Sequence, residues 1–252
     1  MRWHSIFVVG FAATAAARPL TVSSPDWPPF YIQDSEKPLE HGFAGDILDI
    51  CAAKIDPNAD FHAYPIRRMM KYMERGELDI NIMSFKPDRA LFMDYGKEIV
   101  FENSYVVWKR RSLSNSISSI HDLDSLRIAQ LVGIRPSDEF REWFDLRLKS
   151  KSEIDTLVLN NTDQIVKMLA HDRSDVTVSS LAEMKWRSNK LGLSKYVVNT
   201  GLVIKKQDYF LVIAKASPLY KRDPQILNKF DSCVTRLKST GRWAQLQKYY
   251  GL

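Results

Sequence analysis

Arginine side chains at separate places in the chain have the chemistry needed to hold an anion. Arg89 follows a Pro-Asp pair at the start of a predicted helical turn, and its planar guanidinium can form two parallel hydrogen bonds with one carboxylate. Arg68 lies near the start of another predicted helix, where it is either a second positive contact or part of a solvated face. Arg135 and Ser137 begin a third helix, whose first backbone N–H groups can meet an anion.

Side-chain patterns that perform catalysis or hold a metal do not stand out in the sequence. No paired carboxylates and no Ser/His/Asp pattern are evident. The histidines are scattered without the spacing of a metal site; they include His41, His62, His121 and His171. We therefore expect no metal and no cofactor, and the sequence favours binding over catalysis.

Composition and charge limit the partners. The chain is 45% hydrophobic and 11% aromatic, which is enough for real cores and argues against disorder. The formal net charge is +6, but basic and acidic residues are interleaved, with only short clusters such as residues 109–111. This distribution argues against nucleic acid as a partner, while the mild positive bias favours an anionic ligand.

Residues 1–17 have the order of a secretory signal. A mildly positive start is followed by an apolar stretch at residues 5–13 and by small residues that end in Ala15-x-Ala17, just before Arg18. The apolar part is shorter than the roughly 20 residues that a membrane-spanning helix needs. We expect cleavage near Arg18 and a soluble, exported mature protein.

Two cysteines leave one pairing question open. Cys51 and Cys233 each lie on the apolar stripe of a predicted helix. Free cysteines are commonly buried, whereas an oxidising compartment permits a disulfide. The sequence does not decide between two buried thiols and one bridge.

Strands alternate with helices twice along the chain, which is typical of an α/β fold with mostly parallel sheets. The two runs are separated by a serine-rich stretch at residues 112–119. Predicted strands cover residues 20–24, 78–84, 105–108, 127–132, 156–159, 176–178 and 210–214. Predicted helices cover residues 42–55, 66–75, 137–148, 163–170, 181–190, 224–238 and 242–249, with a helical turn at 87–93.

Seven short motifs follow one another in order across nearly all of the chain after the predicted signal. They are Trp27-Pro28-Pro29-Phe30, Gly42-Phe43-Ala44-Gly45-Asp46-Ile47-Leu48, Gly76-Glu77-Leu78-Asp79-Ile80, Pro87-Asp88-Arg89-Ala90 with Met93-Asp94-Tyr95, Ser119-Ile120-His121-Asp122-Leu123, Arg173-Ser174-Asp175-Val176, and Gly241-Arg242-Trp243-Ala244 with Tyr250-Gly251. Each motif alone is weak, but in this order they resemble the family 3 extracellular solute-binding proteins, the periplasmic components of polar amino acid transporters.

The resemblance implies a type II periplasmic binding protein fold. Two α/β lobes, each with a mostly parallel sheet flanked by helices, are joined by two crossing strands. Lobe 1 is expected to comprise residues 18–108 and 207–252, and lobe 2 residues 109–206. A ligand cleft between the lobes agrees with the general position of concave sites at domain interfaces.

The resemblance also assigns ligand contacts in lobe 1. Arg89 corresponds to the arginine that grips the ligand carboxylate, and Trp27 and Phe30 to an aromatic loop that covers the ligand, although Phe30 also suits a core. Ser84 and Phe85 are expected contacts from a shortened loop, because Arg89 follows the motif aspartate by only ten residues. Arg68 matches an arginine of some divergent members.

In lobe 2 the resemblance places an aspartate that pairs with the ligand ammonium, and this chain has Ser180 there. A hydroxyl does not replace that charge, and a buried unpaired ammonium is costly. Either the ligand lacks an α-amino group, or another acid such as Asp26 or Glu102 supplies the charge.

The function implied is capture of a small anionic or zwitterionic metabolite in the periplasm for an ABC-type transporter, by a monomeric protein that binds no nucleic acid. Two alternatives stay open. One is a dehydratase-like enzyme on the same fold, with Glu102 or Asp26 as its acid. The other is a sensor that presents its bound state to a membrane receptor.

Overall fold

The computed structural model describes residues 18–33, 42–150 and 156–252, so the predicted signal at residues 1–17 lies outside the described part. Its strands are β1 (Thr21–Ser24), β2 (Asp60–Ala63), β3 (Ile80–Ser84), β4 (Met93–Arg110), β5 (Ile128–Leu131), β6 (Thr156–Leu159), β7 (Val176–Ser180) and β8 (Val197–Ala214). Its helices are α1 (Phe43–Ala52), α2 (Ile66–Arg75), α3 (Pro87–Ala90), α4 (Asp138–Lys149), α5 (Thr162–Ala170), α6 (Leu181–Lys190), α7 (Pro218–Arg222), α8 (Ile226–Ser239) and α9 (Arg242–Tyr250). A short 3-10 helix covers Ile120–Leu123.

Two groups of parallel strands are joined by two long strands. The hydrogen-bonded order is β2-β1-β3-β8-β4-β7-β5-β6. Strands β1, β2 and β3 are parallel, as are β5, β6 and β7, whereas β4 and β8 pair antiparallel with each other and with the adjoining groups. The expected α/β fold is confirmed, with β4 and β8 as the crossing strands.

We call β1–β3 with α1–α3 and α7–α9 lobe 1, and β5–β7 with α4–α6 lobe 2. The exact boundaries at 108/109 and 206/207 stay a prediction.

The core of lobe 1 lies between the sheet and helices α1 and α8. Phe43 and Ile47 of α1 and Phe230 of α8 are fully buried there against strand residues. Cys51 and Cys233 form a disulfide that joins α1 to α8 across 182 positions of sequence. The pairing question that the sequence left open is thus answered by a bridge.

Lobe 2 has a core on each face of its sheet. On one face Phe140 and Phe144 of α4 pack against Ile128 and Val176. On the other face a second cluster packs beneath α5 and α6; its buried members are Val106, Trp108, Ala129, Ile165, Val166, Leu169, Met184 and Val197. The lobe is therefore a three-layer sandwich, in which α6 is held firmly at the end of β7.

A glycine turn orients β3 towards the loop that carries the lobe 1 arginine. Helix α2 ends at Gly76, which has a φ of 71°, a conformation that glycine adopts without a steric penalty. A Cβ atom there would meet the Ala216 carbonyl oxygen at 2.5 Å. Three residues later Asp79 is buried, and its carboxylate accepts hydrogen bonds from Arg18 and from the Thr21 backbone N–H. The Gly-x-x-Asp motif thus has a structural role here.

Candidate functional site

A cavity of about 320 Å³ lies between the two lobes. It is at the carboxyl ends of β3, β5 and β7, where α/β sheets commonly bind ligands. Lobe 1 contributes the loop around Trp27, the start of α2 and the β3–α3 connection, and lobe 2 contributes the β5–α4 loop and the β7–α6 junction. The lining residues used below are Asp26, Trp27, Ser84, Lys86, Arg89, Tyr105, Arg135, Ser179, Ser180, Glu183, Gln207 and Tyr209.

Arg89 lies on the lobe 1 wall of this cavity and is half-buried. Its Nη1 atom donates to the Ser84 carbonyl oxygen at 2.9 Å and to Ser84 Oγ at 3.1 Å. These bonds fix the guanidinium while neutralising none of its charge, because no carboxylate within the described ranges forms an ion pair with it. The arrangement leaves a positioned cation facing the cavity.

Lys86 adds a second positive charge to the same wall. It precedes α3 and lines the cavity, and within the part of the chain described it also has no ion pair. Burial is the main cause that lowers the pKa of Lys86, and the positive charges of Arg89 and Arg141 lower it further, while Asp88 opposes them. Two cations that repel each other in a partly buried cleft form a favourable place for an anion.

The crossing strands and the end of β7 give the cavity an uncharged polar floor. The hydroxyls of Tyr105 and Tyr209 lie 3.1 Å apart, and burial raises the pKa of both, so both stay neutral. Ser180 Oγ donates to Asn103 Oδ1 at 2.7 Å. With Gln207 at its edge, this floor offers neutral hydrogen bonds and no charge.

The α6 end of the cavity has the opposite charge. Glu183, in the first turn of α6, lines the cavity, and its Oε1 accepts a hydrogen bond from Thr162 Oγ1 at 2.9 Å. Burial raises the pKa of Glu183 to about 7. One turn along the helix, Arg187 donates to Asp26 Oδ2 at 2.8 Å, and this bond connects lobe 2 to lobe 1 at the cleft.

Four of the eight residues expected to bind ligand line the cavity: Trp27, Ser84, Arg89 and Ser180. Trp27 packs on the Tyr209 ring at 5.1 Å between centroids, so the aromatic loop is fixed against the floor. Ser84 orients Arg89 as described, and Ser180 is held by Asn103. Direct contact of these four with a ligand stays a prediction.

The other four lie elsewhere. Phe30 is 1% exposed and stacks on Phe101 in the lobe 1 core at 4.2 Å. Phe85 is 53% exposed and packs on Tyr95 outside the lining. Arg68 is exposed on α2, and Ser137 Oγ caps α4 by accepting the backbone N–H of residue 140 at 3.1 Å. The neighbouring Arg135 lines the cavity in place of Ser137.

Several lining residues were missed by reasoning from the sequence. Tyr105 and Tyr209 meet only because the long strands β4 and β8 pair across the whole molecule, and no local signal predicts that register. Glu183 had a signal, because it is three positions after Ser180 at the start of a predicted helix. Helical spacing places such a residue on the same side as the helix start.

The fold and the interlobe cavity together define a two-lobed binding protein. The family model of the bacterial extracellular solute-binding proteins, family 3, matches residues 20–157 and 145–252, and the chain belongs to this family. A search of curated proteins finds no significant match. Within the described ranges no helix combines the length and the apolar character needed to cross a membrane.

Solved structures share the fold at low sequence identity. A histidine kinase sensor domain with similarity to periplasmic binding proteins superimposes with a TM-score of 0.71 and 18% identity, covering 92% of this chain and 96% of that one. An ancestral arginine-binding protein bound to arginine has a TM-score of 0.70 and 17% identity, with coverages of 92% and 97%. The GluR0 ligand-binding core from Nostoc punctiforme, in complex with L-glutamate, has a TM-score of 0.69 and 19% identity, with coverages of 92% and 99%.

Proposed function

We propose that this protein captures a small carboxylate between its lobes, outside the cytoplasm, and delivers it to an ABC-type transporter. The observation that carries the proposal is the pair of cations on the lobe 1 wall. Arg89 and Lys86 line the cavity and have no ion-pair partner within the described part of the chain. A half-buried guanidinium oriented by two hydrogen bonds is suited to bidentate recognition of a carboxylate. Family membership supports a place outside the cytoplasm and binding as the role of the cleft. The order of residues 1–17 supports export through their cleavage.

A second candidate is a sensor on the same fold. It is favoured by the histidine kinase sensor domain that shares 92% of this chain at a TM-score of 0.71. The two roles use the same ligand site and differ in the membrane partner that recognises the bound state. Cross-linking of the ligand-loaded protein in membranes distinguishes them, because a transporter role predicts capture of a permease and a sensor role predicts capture of a receptor.

An enzymatic use of the site is tested separately. Glu183, with its pKa raised to about 7, has the protonation behaviour of a general acid, which is what the dehydratase-like alternative needs. Binding without turnover predicts that a prephenate-like acid is recovered unchanged after prolonged incubation. Formation of a dehydrated product at a rate that depends on Glu183 would contradict the proposal.

Calorimetric titration with the carboxylate that stabilises the protein most in a thermal-shift screen tests the anchor. Arg89→Ala is expected to weaken binding at least tenfold, about 1.4 kcal/mol, because truncation removes one partner of a desolvated pair. Arg89→Lys should recover part of the loss, since lysine lacks the planar fork. Arg67→Ala, an exposed arginine on α2, is the matched control. If Arg89→Ala binds like the wild type while Arg68→Ala does not, the anchor has been misassigned.

A further inference from the structure

Five further residues of the cavity wall are apolar, and they come from both lobes. Lobe 1 contributes Ile66 and Met69 from α2 and Met83 from β3, and lobe 2 contributes Val132 and Ile134 from the β5–α4 connection. None of the five belongs to the cationic wall, the acidic α6 end or the neutral floor described above. The cavity therefore has a hydrocarbon surface beside its polar groups.

Two of these side chains are exposed within a concave site. Ile66 and Val132 are each 44% exposed, whereas Met69 and Met83 are almost fully buried. Apolar surface that lines a cleft and remains in contact with water is typical of ligand-binding sites. Displacement of that water by a hydrocarbon group is favourable, so Ile66 and Val132 are the part of the wall that a ligand gains most by covering.

Helical spacing separates the apolar residues of α2 from its basic ones. Ile66 and Met69 are three positions apart, which places them on one face of the helix, and both line the cavity. Arg67 and Arg68, between them, are exposed and lie outside the lining. The start of α2 thus presents hydrocarbon to the cavity and directs its cations elsewhere.

A hydrogen-bonded turn holds the lobe 2 side chains in place. The Val132 backbone N–H donates to the Leu159 carbonyl oxygen at 2.8 Å, and the Ile134 N–H donates to the Leu131 carbonyl oxygen at 3.2 Å. The buried Gln130 amide donates to the Ile134 carbonyl oxygen at 3.3 Å. Because the turn is already fixed, little ordering is needed when a ligand covers Val132, and this lowers the entropic cost of binding.

We propose that these five residues form an apolar subsite for the hydrocarbon body of the ligand, whose carboxylate is held by Arg89. The ligand class is accordingly a small monocarboxylate with an aliphatic or aromatic body. Met69 and Met83 suit both shapes, because methionine side chains are unbranched and adaptable. This inference rests on the proposed function and names the kind of carboxylate that the cavity selects.

A series of acids tests the subsite on the unaltered protein. Thermal shift and calorimetry compare the straight-chain acids from propanoate to hexanoate with 5-hydroxypentanoate, in which a hydroxyl replaces the terminal methyl of hexanoate. Each added methylene should tighten binding about three- to fourfold until the subsite is filled. The hydroxy acid should bind at least about fivefold more weakly than hexanoate, because its hydroxyl is buried against hydrocarbon. Affinity independent of chain length, or equal affinity for hexanoate and 5-hydroxypentanoate, would overturn the inference.

A variant assigns the preference to its residue. Val132→Thr replaces one exposed methyl by a hydroxyl of similar size, so hexanoate should bind at least about threefold more weakly. Propanoate has little hydrocarbon to bury and should bind the variant as it binds the wild type. Val158→Thr is the matched control, since Val158 is 43% exposed on β6 of the same lobe and lies outside the lining. Wild-type affinity of Val132→Thr for hexanoate would rule out the assignment.

Three outcomes separate failure of the inference from failure of the proposed function. If Arg89→Ala weakens every acid while affinity does not rise with chain length, the carboxylate site stands and the apolar subsite does not. If affinity rises with chain length but Arg89→Ala changes nothing, the apolar subsite stands and the anchor does not. If no acid binds, both fail. Should Val132→Thr fail to fold, Ile66→Thr replaces it, because Ile66 is equally exposed on the lobe 1 side.

Discussion

The buried carboxyl of Glu183 should make the free energy of unfolding of the ligand-free protein depend on pH. The substitution Glu183→Gln should remove this dependence. Burial raises its pKa from 4.5 to about 7 in the folded state, so the folded protein binds a proton that the unfolded chain releases. Stability from this group is therefore fully present below about pH 4.5 and is lost as the pH rises through about 7. The charged groups facing it are Asp26, Asp163 and Arg187, with the neutral Tyr105 behind them.

The size of the effect follows from the shift. A change of one pKa unit corresponds to about 1.36 kcal/mol, so the raised pKa corresponds to a loss of about 3 kcal/mol between pH 4 and pH 8. Glu183→Gln keeps a neutral side chain at every pH. Relative to the wild type, the variant should gain up to about 3 kcal/mol in free energy of unfolding over that range.

Urea unfolding of the wild type and of Glu183→Gln at several pH values between 4 and 8 measures this difference. Glu142→Gln, whose side chain is exposed, should follow the wild type throughout. Parallel pH profiles for the wild type and Glu183→Gln would refute the reasoning, because they would mean that the carboxyl titrates normally. If Glu183→Gln were more stable than the wild type at low pH and not at high pH, the pKa of Glu183 would have to be lowered in the folded protein.

Two further predictions concern the frame of lobe 1. Since Cys51 and Cys233 are bridged across 182 positions, thiol labelling of unfolded, unreduced protein should find no reactive thiol at either residue. The double variant Cys51→Ser/Cys233→Ser should lose about 4 kcal/mol or less of its free energy of unfolding, measured by thermal unfolding. Gly76→Ala should cost at least about 1–2 kcal/mol in urea unfolding, because alanine is strained at a φ of 71° and its Cβ would press on Ala216; unchanged stability would mean that the turn relaxes freely.

Elements with strong local patterns could be predicted from the sequence. Helix α2 has the predicted bounds, because its apolar positions Met69 and Met73 recur with helical spacing and Gly76 ends it. Strand β6 and helix α6 also have their predicted bounds. Arg89 could be placed at the site because a motif surrounds it, and the cavity lining contains it.

What the sequence did not reveal depends on contacts between distant segments. Strands β4 and β8 run for 18 residues each, yet only residues 105–108 and 210–214 were predicted, because the remainder mixes charged and apolar residues and is held by pairing across the molecule. The edge strand β2 is half-exposed and has no apolar run, so the sequence predicted no strand there. Phe30 shows the same limit in the site, since only the fold decides whether an aromatic residue covers a ligand or fills a core.

Mass spectrometry of the small molecules released from natively exported protein tests the central claim most directly. The wild type should release a carboxylate on denaturation. Arg89→Ala, prepared in the same way, should release much less of it, while Arg67→Ala should release as much as the wild type. A released compound without a carboxylate, or equal occupancy of the wild type and Arg89→Ala, would contradict the account.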